Sequence, residues 1–89
     1  MRVLLAIVLA LAVAPAMADF SFRFGDVVVT TGDSPGTVVR KAGRQPDRIV
    51  QLENRRGAAV GERWEYYLDN KQVNFEIRGG RVVDIQEVR

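Results

Sequence analysis

Between Trp64 and Ile85 large apolar side chains alternate with polar ones, and no other feature limits the fold of this 89-residue chain as much. Trp64, Tyr66 and Leu68 are separated by Glu65, Tyr67 and Asp69; Val73, Phe75 and Ile77 are separated by Asn74, Glu76 and Arg78. A period of two belongs to a β-strand with one covered face. Asn70-Lys71 between the runs predicts a two-residue turn, because asparagine tolerates positive φ. That turn pairs Leu68 with Val73, Tyr66 with Phe75 and Trp64 with Ile77, and it brings all the large apolar groups to one face. Gly79-Gly80 predicts the next turn. A two-residue loop there sets Phe75 against Asp84. A three-residue loop, Arg78-Gly79-Gly80, sets Phe75 against Val83 and Val73 against Ile85, and with a bulge at glycine it is the preferred form. The last strand then runs from about Arg81 to Val88. Arg48 to Glu53 alternates too and supplies a fourth strand, with Val50 and Leu52 on one face and Ile49, Gln51 and Glu53 on the other. Asn54 to Gly61 loses the period and reads as the longest loop.

A sheet with one greasy face needs a cover, and residues 34–42 predict a short helix. Ser34 is a good N-cap, since its hydroxyl accepts a free N–H of the first turn. Pro35 falls at the first helical position, where a missing N–H costs nothing. Val38, Val39 and Ala42 share one side. Arg40 and Lys41 suit the negative end of the helix dipole. Gly43 permits a left-handed stop, and Pro46 prevents resumption. Gly32 lies just ahead, in the turn that leads into the cap. A helix of about two turns is marginal alone and must lie on the sheet. Upstream, Phe20, Phe22 and Phe24 alternate and Val27 to Thr31 is β-rich; this stretch reads as an N-terminal extended arm or strand on the core, with a turn near Gly25-Asp26. The fold class expected is α+β: one short helix on a three- to four-stranded antiparallel meander.

The first residues predict export. Met1-Arg2 is followed by an apolar run from Val3 to Ala14, and Ala16-Met17-Ala18 fits a small-x-small cleavage pattern. A membrane span needs about 20 apolar residues, so this run is too short to be one. Cleavage after Ala18 divides the chain into a signal peptide, 1–18, and a single small domain, 19–89. The expected location is the periplasm, with no stable membrane insertion once the leader is removed. The chain holds 13 Lys+Arg, 11 Asp+Glu, no cysteine and no histidine. Arg2 is the only charged residue of the leader, so the remainder carries a single excess positive charge, and nothing points to nucleic-acid binding, which calls for clustered basic surface. Without disulfides, packing alone must hold so small an exported domain.

The order of motifs resembles that of an exported family catalogued as number twenty-eight forty-five among the domains of unknown function. The likeness rests on Arg23-Phe24-Gly25, Gly32-Asp33-Ser34, Val38 or Val39, Lys41-Ala42-Gly43, Pro46, Trp64-x-Tyr66, and Phe75 ahead of the Gly80-Arg81-Val82 hairpin. It spans nearly all of 19–89. That family usually has Arg-Cys-Gly and Lys-Cys-Gly where this chain has Phe24 and Ala42, so any bridge its members make between these points is absent here. The same order is similar, more distantly, to the outer-membrane assembly lipoproteins of the BamE/SmpA type and to the β-lactamase-inhibitor-protein repeat. These likenesses imply a binding module, not an enzyme.

Chemistry is sparse. Without His or Cys there is no nucleophile–imidazole pair and no common zinc ligand set. Ser34 is better explained as a cap than as a nucleophile, and Gly32 to Gly36 lacks the lysine and spacing of a phosphate loop. The predicted register sets Glu65 beside Glu76 on the outer face, flanked by Arg63 and Arg78, which suggests either diagonal ion pairs or a cation site. Arg44, Arg48, Arg55, Arg56 and Arg63 could form a basic patch, but the acids beside them in the sequence favour a mixed surface. Tyr67, with Asn74, Val82 and Gln86 near it, is the best contact surface, because an aromatic amid polar groups suits recognition. The site residues expected are thus Tyr67, Asn74, Glu76 and Glu65 for a partner, with Gly32, Ser34, Pro35, Gly43, Pro46, Gly79 and Gly80 structural. No cofactor and no metal are expected. The expected function is that of a periplasmic, non-enzymatic interaction or structural module linked to the cell envelope, whose partner is another envelope protein; the rival is a protein that binds a small ligand or divalent cation on the outer sheet face.

Overall fold

A computed structural model describes residues 20–89. The proposed leader, 1–18, and its cleavage point after Ala18 lie outside the described residues. The elements run β1 (Ser21–Phe24), β2 (Val27–Thr30), α1 (Pro35–Ala42), β3 (Arg48–Glu53), β4 (Ala59–Tyr67), β5 (Gln72–Arg78) and β6 (Arg81–Val88). The protein is α+β and mostly β. Four strands form an antiparallel meander in the order β3-β4-β5-β6, and β1 and β2 form a separate hairpin. No helix among the described residues is long and apolar enough to cross a membrane.

The helix forms as its residues dictate. Ser34 is extended, and its Oγ accepts from the Thr37 N–H at 3.2 Å. Pro35 opens the first turn, and Gly43 stops the helix in the left-handed region while its N–H reaches the Val39 carbonyl at 2.9 Å. Val38 is fully buried, with Val39 and Ala42 packed against the core.

The N-terminal stretch is more than an extended arm. Phe24 pairs with Val27, so Gly25-Asp26 is a two-residue hairpin loop. Phe22 and Val29 are buried, while Phe20 is exposed. Hairpin and helix together cover one face of the meander. Phe24 meets the rings of Tyr66 and Phe75 at 5.5 and 6.0 Å, and Phe22 meets Phe75 edge-on at 6.3 Å. Trp64, Tyr66, Val73, Phe75, Ile77, Val82 and Ile85 complete the core.

Two registers differ from those expected. The β4–β5 turn is centred on Asp69-Asn70, one residue earlier than Asn70-Lys71, with the Leu68 N–H on the Lys71 carbonyl at 2.8 Å. Trp64 therefore faces Phe75, and Tyr66 faces Val73. A slip of two keeps every side chain on its own face, so the greasy face is unchanged. The outer face decides it. The expected register opposes Glu65 to Glu76 and Arg63 to Arg78, whereas the observed one opposes Arg63 to Glu76 and Glu65 to Asn74. Like charges directly opposite destabilise a sheet, and opposite charges support it.

The β5–β6 loop is the two-residue Gly79-Gly80, with Arg78 facing Arg81. Both glycines have positive φ, 59° and 76°, as the tight primed turn of a hairpin requires. The extra residue is Val83, beyond the turn and not at glycine: Ile77 faces Val82 and Glu76 faces Asp84. The bulge turns Val83 out to 47% exposure and lets both Val82 and Ile85 face inward. Val83 is thus not the core partner of Phe75; Ile85 is. The loop after β3 is also shorter than expected, since β4 begins at Ala59 and includes Gly61.

Candidate functional site

The outer face of the meander carries the polar cluster that the alternation sets out. Successive outward positions of β4 bring up Arg63, Glu65 and Tyr67; β3 adds Arg48 opposite Glu65, and β5 adds Asn74 opposite Glu65 and Glu76 opposite Arg63. At its centre Glu65 is buried, only 4% exposed, although it lies on the polar side of the sheet. Its Oε1 accepts from the Tyr67 hydroxyl at 2.8 Å, and its Oε2 accepts from Arg63 Nε at 2.9 Å. Arg48 Nη1 stands 3.9 Å from Oε1. The Tyr67 hydroxyl and then the Arg63 guanidinium hold the Glu65 carboxyl below its ordinary range, against the opposing effect of burial. The same hydrogen bond pushes the Tyr67 phenol up, because ionising it would face the Glu65 carboxylate. Glu65 is therefore a fixed anion and Tyr67 a fixed neutral phenol at neutral pH.

The Tyr67 backbone is held as well. Asp47 Oδ2 accepts from the Tyr67 backbone N–H at 2.7 Å and from Arg44 Nη1 at 2.9 Å, and Arg44 Nη2 reaches the Tyr67 carbonyl at 3.2 Å. The Tyr67 N–H and then Arg44 keep the Asp47 carboxyl below its usual range. Tyr66, on the inner side, donates to the Arg44 carbonyl at 3.0 Å with the Arg44 guanidinium 5.3 Å above its ring. The segment between Gly43 and β3 is thus a clamp on the end of β4. Half of Tyr67 nevertheless faces solvent, at 46% exposure.

Of the expected contact residues, Tyr67, Glu65 and Asn74 come together. Gln72 Nε2 donates to Asn74 Oδ1 at 2.7 Å and fixes that amide. Glu76 does not pair with Glu65: it lies two residues out of register, opposite Arg63, and is bound by Arg78. The two carboxylates are each neutralised separately, and among the described residues no three acidic, Cys or His side chains are grouped to hold a metal ion. Val82 is not beside Tyr67 but in the core. The five arginines are not gathered into a basic patch, and the mixed surface is the one seen: Arg44 serves Asp47, Arg48 and Arg63 serve Glu65, and Arg55 and Arg56 occupy the β3–β4 turn. The Arg44–Asp47 clamp escaped the reading of the sequence, as did the burial of Glu65. The signal for the second was the outward series Arg63, Glu65, Tyr67 along β4, whose flanking members both donate to the carboxylate.

No family model, no curated protein and no solved structure matches the chain.

Proposed function

We propose that this chain is a small exported, non-enzymatic interaction module of the cell envelope, working in the periplasm after loss of residues 1–18. Its contact surface is the outer sheet face around Tyr67. One observation carries this reading: a half-exposed tyrosine whose backbone is clamped by Asp47 and Arg44 and whose hydroxyl is tied to a buried carboxylate. A side chain held in this way loses little conformational freedom on binding, and tyrosine is enriched among the residues that dominate the centres of protein interfaces. Arg48, Asn74 and Gln72 supply a polar rim. The apolar leader with its Ala16-Met17-Ala18 end supports export.

The test has two parts. Expression of the full chain followed by cell fractionation should yield a periplasmic product that begins at Asp19. Affinity capture from that fraction, read by mass spectrometry, should recover an envelope protein with wild-type bait and lose it with Tyr67→Ala bait of unchanged circular dichroism. Equal recovery by both baits, or none by either, overturns the assignment to this face.

A further inference from the structure

The two edges of the meander are finished differently. The β6 edge is guarded. Val82 donates to the Asp33 carbonyl at 2.9 Å and accepts from the Gly32 N–H at 2.8 Å, Arg81 reaches the Gly32 carbonyl at 3.0 Å, and the Val83 bulge breaks the strand's line. Among the described residues the β3 edge has no such device. Its six residues, Arg-Ile-Val-Gln-Leu-Glu, contain no proline, lysine or glycine and carry charge only at the ends, and among the described residues β3 pairs with β4 alone. Ile49, on the covered face beside Trp64, is 50% exposed, and Val50 and Leu52 are only partly buried on the outer face. An unguarded, apolar edge is a template for another strand.

We infer that β3 pairs antiparallel with β3 of a second copy of this chain, making a two-fold dimer with one continuous eight-stranded sheet. The occupant follows from the strand's own pattern. A two-fold axis perpendicular to the sheet must oppose residues of the same face, so near the strand centre it can pass only through Val50, Gln51 or Leu52. Centred on Val50, it sets Asp47 against Glu53 of the second copy. Centred on Leu52, it pairs only Gln51, Leu52 and Glu53 of each strand, because the chain turns back at Asn54 to Ala58. Centred on Gln51, it opposes no like charges: Val50 meets Leu52 twice on the outer face, Gln51 meets Gln51, Ile49 meets the stem of Glu53, and beyond each strand end Asp47 comes near Arg55, the first cation of the turn after β3. The Oδ1 atom of Asp47 has no bond of its own among the described residues, so it is free to accept one. This pairing does not depend on the Tyr67 surface.

An edge contact of six residues per copy is small, so the dimer should be weak, visible at about 100 μM and dissociating toward 1 μM. The natural sequence has no cysteine, so a single introduced thiol reports the register. The protein purified from cells expressing the full chain should sediment as a concentration-dependent dimer. Gln51→Cys should oxidise to a disulfide-linked dimer, because residues facing each other across a strand pair lie within disulfide reach. Val83→Cys, exposed at the opposite edge, should not, and Val50→Lys should shift sedimentation to monomer without changing circular dichroism. A monomer at about 500 μM, or a dimer in which Gln51→Cys cross-links no faster than Val83→Cys, overturns the proposal.

Discussion

Glu65 shows how one side chain can tie a surface together. A carboxylate this buried is costly unless charge and hydrogen bonds compensate it. Here a tyrosine hydroxyl and two arginines do so. Removing the charge leaves Arg63 and Arg48 without their anion, so Glu65→Gln should cost on the order of 1–2 kcal/mol at neutral pH. Glu76→Gln, whose ion pair is more exposed, should cost less than about 1 kcal/mol. The sign with pH follows from linkage. The folded Glu65 carboxyl sits below its unfolded value, so its contribution is present above that value and is lost as pH falls through the folded one. Urea midpoints at about pH 7 and about pH 3 should therefore show the gap between wild type and Glu65→Gln narrowing in acid. A gap that stays constant would mean that shape, not charge, is what the site uses.

At the scale of the element, β4 and β6 each contain a position that simple alternation misreads. Gly61 lies within β4, and a Cβ there would meet the Ile77 carbonyl oxygen at 2.6 Å and the Arg78 Cγ at 2.8 Å. The arginine stem can move, but the backbone oxygen cannot. Gly61→Ala should destabilise the protein by about 2 kcal/mol, measured by chemical denaturation, although alanine is ordinarily harmless in a loop. The Val83 bulge makes the opposite kind of prediction. Val83→Lys should change stability by less than about 0.5 kcal/mol, whereas Ile85→Ala, two residues on, should cost about 2–4 kcal/mol. If Val83→Lys unfolds the protein, β6 lacks the bulge and follows the simpler register.

These positions also mark what the sequence could reveal. The caps of α1 were legible because Ser34, Pro35 and Gly43 each meet a backbone demand at a fixed offset. The greasy face was legible because a two-residue period survives any even slip of register. For the same reason alternation alone could not choose between Asn70-Lys71 and Asp69-Asn70 as the turn. The choice was written in the charges of Arg63, Glu65, Glu76 and Arg78, on the face that does not form the core. Gly61 and Val83 were hidden for a third reason: each answers to a neighbour across the sheet, and no local pattern records that neighbour. The Arg44–Asp47 clamp has the same origin, since it joins residues about 20 apart in the chain.

At the scale of the whole molecule, the ionisable groups that the fold perturbs among the described residues lie at the two ends of the pH scale. On the acid side, burial pushes Asp33 up, but the Thr30 N–H and Lys41 outweigh it and hold that carboxyl low. Asp47 and Glu65 are held low as well. These three bind helix, hairpin and clamp: Asp33 joins Thr30 to Lys41, which also reaches the Val28 carbonyl at 2.8 Å. On the alkaline side, burial pushes the Tyr66 phenol up to about 12, while its hydroxyl holds the Arg44 carbonyl. Each lowered carboxyl gives stability that is present above its unfolded value, about 4, and is lost as pH falls through the folded one. The Tyr66 phenol, and the Tyr67 phenol raised by its bond to Glu65, give stability that is present below their unfolded value of 10.0 and is lost as pH climbs through the folded ones. No histidine or cysteine side chain titrates between them. Thermal midpoints should accordingly form a plateau from about pH 5 to about pH 9, with separate falls on either side. Tyr66→Phe, which gives up one hydrogen bond, should lower the plateau by about 1 kcal/mol and remove part of the alkaline fall while leaving the acid limb as it was. A steep change in stability near neutral pH would place a titrating group in the fold that its buried contacts do not contain.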